Sequence, residues 1–166
     1  MGAKQIFRTA LTDVTIYGAG QTTTWDQLGT IRYENNAVYK YVAFSGTTTI
    51  AAGDVVCYVA AASDGSEVLV DGANTALGAG VAMAAVASGS VATGNTYYAT
   101  GWIQIRGLAT VSTTVAGSPS IGYPLTTQGE SAPACGAMST TAATLATQQC
   151  VGFYYSAKKI VCQFPF

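Results

Sequence analysis

The sequence predicts an all-β fold: a compact β-barrel or β-sandwich with Gly-rich turns and an extended N-terminal arm. Segments of strand length, rich in β-branched and aromatic residues, recur along the chain. Turn-forming pairs such as Asn35-Asn36, Asp64-Gly65 and Asp71-Gly72 separate them. Helical periodicity is absent, apart from STTAATLATQQ (139–149), where threonine content argues against a stable helix. A length of 166 residues fits one domain, or one domain with an arm.

Residues 1–27 differ from the rest. Phe7, Leu11, Val14 and Ile16 are spaced apolar positions, followed by GAGQTTT and Trp25. The segment reads as an arm reaching onto a partner or as a first strand, with the arm favoured. Residues 28–166 read as a single β domain. GTIRYENNAVYKYVAF forms two strands about Asn35-Asn36, because Asn tolerates the positive φ of a tight hairpin turn. In TTTIAAGDVVCYVAA, Gly53-Asp54 turns the chain into a strand of roughly Val55 to Ala61. EVLV is a short strand bracketed by two Asp-Gly pairs.

YYATGWIQIRGLATV alternates most clearly. Tyr97, Ala99, Gly101, Ile103, Ile105, Gly107, Ala109 and Val111 share one face, and Tyr98, Thr100, Trp102, Gln104, Arg106, Leu108 and Thr110 fall on the other. Period two over this length predicts a half-buried strand, with Gly107 as a possible break. The small inner residues suit a close approach of two sheets or a tight barrel. CVGFYYSAKKIVCQFPF reads as two strands around Ser156-Ala157-Lys158. A weak echo runs through the chain: AGDVVCY from Ala52 and AGSPSIGY from Ala116, each followed later by a segment near Val81 or Val151. It suggests two related β-units, about 50–85 and 114–155.

Only 9% of residues are charged, against about 25% in ordinary soluble domains. That deficit suits a surface covered by neighbours in an assembly. Net charge is −1 and the longest basic run is Lys158-Lys159, which argues against nucleic acid as a partner. Seven of the eight acids lie in residues 1–71. The uncharged stretch 78–94 is built of Ala, Gly, Ser and Thr, too weakly apolar for a membrane span, and the N-terminus lacks the apolar core of a secretion signal. Cys57, Cys135, Cys150 and Cys162 form no CxxC pair and read as reduced, packed thiols, with a single disulfide left open.

The chain contains no histidine, which removes Ser-His, Cys-His and His-metal mechanisms. Ser156-Ala-Lys-Lys159 fits SxxK but sits at a strand turn, and GAGQTT and GAGVAM lack the third glycine and the helix of a phosphate loop. Asp54, Asp64 and Asp71 sit in turns, without calcium-loop spacing. The expectation is a protein that is not an enzyme and carries no metal or cofactor. Ten tyrosines suit strand packing and interfaces, and Trp25 and Trp102 are candidate contacts.

The succession LGTIRYENNAVYKYVAF, IAAGDVVCYVA, GVAMAAVASGSVATGNTYYATGWIQIRGLATV, AGSPSIGYPL and CVGFYYS resembles small capsid decoration (cement) proteins of tailed bacteriophages. The resemblance covers about residues 28–155 and is one of pattern and spacing. It implies a structural virion protein on the outer capsid surface, a homotrimer that binds the major capsid protein and stabilises contacts between its subunits. Phe7, Arg8, Leu11, Val14, Ile16, Trp25 and Trp102 are then candidate capsid or subunit contacts. The alternative is a receptor- or glycan-binding module of a phage fibre or bacterial surface protein, stacking sugars on surface Trp and Tyr.

Overall fold

A computed structural model describes residues 7–17, 24, 26–44, 49–59, 67–69, 77–89, 98–127, 135–138 and 149–165. Among them are eleven strands and no helix, and all eleven strands belong to one hydrogen-bonded, mainly antiparallel sheet. The all-β expectation is met. Trp25, both Asp-Gly pairs and residues 139–148 lie outside the described residues.

Local turn chemistry sets the first hairpin. Asn35 and Asn36 take φ of 50° and 61°, the left-handed pair of a type I′ turn. They join β2 (Ile31–Glu34) to β3 (Ala37–Phe44), with Glu34 opposite Ala37. Gly53 has φ +91°, and a Cβ there would stand 2.7 Å from the Ser112 nitrogen, so no other residue fits this turn without displacement. It leads into β4 (Val55–Tyr58). β5 (Glu67–Leu69) lies between β3 and β4, parallel to the first and antiparallel to the second. β6 (Gly78–Ala82) pairs with β4 and with β7 (Ala99–Thr110).

β7 is the hub. It pairs with β1 (Val14–Ile16), β3, β6 and β11 (Lys159–Gln163), antiparallel in every case. Because β3 meets both β5 and β7, the path β3–β5–β4–β6–β7 returns to its start. β8 (Pro124–Thr127), β9 (Cys135–Ala137) and β10 (Gly152–Ser156) extend the sheet beyond β11 in the order β11–β10–β8–β9.

The main core collects Val42, Phe44, Ile103, Ile105, Leu125 and Ile160 with other aliphatic side chains. The face of β7 that alternation assigns to the interior carries Ala99, Ile103, Ile105 and Ala109 into this core. The expectation of a half-buried strand holds only for its second part. Ala99 to Ile105 are buried on both faces, and exposure alternates only from Arg106 onward. Gly107 does not break the strand. It continues with φ +92°, where a Cβ would meet the Asn36 carbonyl oxygen at 2.8 Å.

Over its first half, around Trp102, the second face of β7 is covered by the N-terminal segment. Residues 7–17 lie on the sheet rather than extending from it, and Val14–Ile16 pairs with residues 99–101 as a strand. The favoured arm reading is therefore corrected for these residues. Phe7 and Leu11 find apolar cover against Trp102, Tyr39 and Tyr41, which an extended arm would leave in water.

The strand arrangement repeats, in a register the sequence echo misses. β5–β4–β6–β7 and β9–β8–β10–β11 have the same order and the same antiparallel contacts along β4–β5, β4–β6 and β6–β7 as along β8–β9, β8–β10 and β10–β11. Val56 opposes Gly80 as Leu125 opposes Gly152. Gly53 and Asp54 exchange backbone hydrogen bonds with Ala82 as Gly122 and Tyr123 do with Tyr154. Gly122, at φ +83°, is thus the counterpart of Gly53, and not Gly117 as the Ala-Gly echo suggests. Ile103 then answers to Ile160 and Gln104 to Val161. Carried along both strands, Arg106 answers to Gln163, and those two residues are themselves paired.

Candidate interaction surface

The outward face of β7 divides into two halves. In the first, Trp102 is 1% exposed. The Phe7 ring meets it edge-on at 5.5 Å and the Tyr41 ring packs at 5.0 Å. Its indole N–H donates to the Thr9 hydroxyl oxygen at 2.9 Å. Thr9 in turn donates its hydroxyl to Asp26 at 2.6 Å, and the Asp26 carboxylate also accepts the backbone N–H groups of Arg8 and Thr9. The Arg32 guanidinium donates to the Thr9 carbonyl, lies 4.9 Å from the Phe7 ring centre and pairs with Glu34. Thr100, fully buried, shares hydrogen bonds with the hydroxyls of Tyr17 and Tyr41 at 2.9 and 2.7 Å. Burial raises the Tyr41 phenol above its usual range, and the Thr100 hydrogen bond offsets part of that rise. One carboxylate thereby holds the end of the segment that covers the indole.

In the second half nothing described covers the strand. Leu108 is 50% exposed and stands opposite Val161 on β11, itself 36% exposed. Val161 stands opposite Phe153 on β10, and Phe153 opposite Pro124 on β8, both half-buried. Direct cross-strand partners share a face, so these four make one apolar row across four strands. Thr110 and Lys159, exposed and paired, border it.

A cleft of about 510 Å³ opens beside the row, with Gly53, Met83, Leu108, Thr110 and Lys158 among its walls. Gln104 lines it too, but its amide nitrogen is engaged by the carbonyls of Arg106 and Leu108, both at 3.1 Å. Asp54, 3% exposed, accepts the Ala51 N–H at 2.7 Å and the Ser112 hydroxyl. Its carboxylate is thus used to hold the turn, as the sequence reading expects of an Asp beside Gly. No group of three or more Cys, Asp or Glu among the described residues could hold a metal ion.

The candidate contacts are scattered by this arrangement. Arg8 is exposed, and Ile16 is 56% exposed at the strand edge. Phe7 and Leu11 are half-buried against the Trp102 cluster, and Val14 packs against the main core. Trp102 is corrected outright: it is a packing residue of this chain, since residues 7–11 and Tyr41 enclose it. Leu108, Val161 and Phe153 were missed. Leu108 carried a signal, being the one aliphatic residue on the Trp102 face of the alternation. No protein-family model, curated protein or solved structure matches the chain.

Proposed function

We propose that this chain is a structural virion protein, binding the outside of an assembled capsid and stabilising contacts between major capsid protein subunits, as a homotrimer. The observation that carries this reading is the open apolar row of Leu108, Val161 and Phe153 in a chain with 9% charged residues. An open apolar row on a chain with so few charges overall favours a covered state over a solvated one. Repeated engagement around a symmetric shell raises the effective affinity of contacts that are individually weak. The glycan-binding alternative draws on surface Trp and Tyr; burial of Trp102 takes away one of the two tryptophans, while Tyr33 and Tyr155 stay exposed. Purified protein mixed with undecorated capsids is expected to co-sediment at a saturating, symmetric stoichiometry. Binding to cells or glycans with no capsid binding would sink the proposal.

A further inference from the structure

We infer that the open half of the β7 face, from Leu108 across Val161 to Phe153, docks an extended protein segment that is both apolar and acidic. Continuity with the covered half supplies the shape. Along the same strand face, three residues of chain pair beside β7 while Phe7 and Leu11 are laid over its outward side chains. The sheet thus already binds one apolar-bearing segment, bent over Trp102 at residues 8–12 and extended at Val14–Ile16, and Leu108 begins an apolar surface that no described residue covers.

Charge supplies the chemistry. Lys159 borders the row and Lys158 walls the adjoining cleft, both exposed. The acids whose side chains are described are engaged within the chain: Asp26 holds residues 8 and 9, Asp13 holds the Ala10 N–H, Glu34 pairs with Arg32, and Asp54, beside the cleft wall, is buried in its turn and holds Ala51 and Ser112. An apolar row edged by two ammonium groups favours a partner that places aliphatic side chains on Leu108 and Val161 and carboxylates beside Lys158 and Lys159. Under the proposed function that segment belongs to the major capsid protein. The partner's identity rests on that reading, whereas its chemistry does not.

The test uses short fluorescein-labelled peptides alternating Leu with Asp, Ser or Lys, read by anisotropy at low and high salt. The wild-type protein is expected to prefer the Leu/Asp peptide, with binding that weakens as salt rises. L108D and the K158E/K159E double variant are each expected to lose about tenfold in affinity. Y33S, at a residue 74% exposed on β2 and outside the apolar row, is expected to bind as wild type. All variants are first checked for an unchanged thermal melt. No preference for the Leu/Asp peptide, or wild-type binding by both surface variants, would overturn the inference. If the peptide preference and its loss hold while undecorated capsids go unbound, the docking surface stands and the capsid reading falls.

Discussion

The two halves of the outward face of β7 contrast within one strand. Around Trp102 the face is closed by the chain's own N-terminal residues, and each polar atom that the closure buries has a partner: the indole N–H on Thr9, Thr9 on Asp26, Thr100 on two tyrosines. Around Leu108 no described residue covers the face, and the row of Leu108, Val161 and Phe153 presents hydrocarbon, flanked by the exposed polar side chains of Arg106, Thr110 and Lys159. A permanent cover needs matched hydrogen bonds, because unsatisfied buried groups cost about 1–3 kcal/mol each. A surface that a partner joins later avoids that demand by presenting hydrocarbon.

Trp102→Ala should break the contrast most severely, destabilising the fold by about 3–5 kcal/mol through loss of the buried ring. Chemical denaturation measures this, and a change below about 1 kcal/mol would mean the cover contributes little. Asp26→Ala comes next, at about 1–3 kcal/mol, since it leaves the Thr9 hydroxyl and two backbone N–H groups without their acceptor. Amide exchange at Val14–Ile16 should quicken in that variant, and unchanged protection there would show that the strand is held by something else.

The inner side of the sheet offers a third measurement. Burial pushes the Cys135 thiol up to about 11 and raises Cys162 as well, whereas thiols of an unfolded chain titrate near ~8.5. Neutral thiols therefore favour the folded state fully below that unfolded value. Their contribution is lost as pH climbs toward 11 and beyond. Melts across this alkaline window should show a declining midpoint that Cys135→Ala makes shallower. The smallest effect belongs to the open half. Leu108→Ser should leave stability within about 0.5 kcal/mol of wild type, and a larger loss would mark Leu108 as a fold residue and end the contrast.

What the sequence makes legible here is local. Asn35-Asn36 specifies its turn by backbone preference alone, and period-two alternation places Ile103 and Ile105 on the core side. The cover over Trp102 is contributed from more than ninety residues away in sequence, by Thr9, so Thr100, Trp102 and Gln104 look like a solvated face until the chain is folded. The same limit explains the repeat. Ala-Gly pairs are common in a chain with nineteen glycines, and only cross-strand pairing shows that Gly122 is the residue playing the part of Gly53. Leu108 is the instructive exception: its hydrocarbon side chain on that face was visible in the alternation, and what alternation could not show is that the fold leaves it half exposed.

The pairing of Arg106 with its own counterpart, Gln163, has a structural meaning beyond the repeat. Two identical subunits that join edge to edge through antiparallel strands meet about a dyad, with one residue facing its equivalent at the centre. The β7–β11 seam reproduces that arrangement inside a single polypeptide. Two sheet edges that separate half-molecules would leave exposed, and prone to indiscriminate pairing, are here closed on each other by covalent connection.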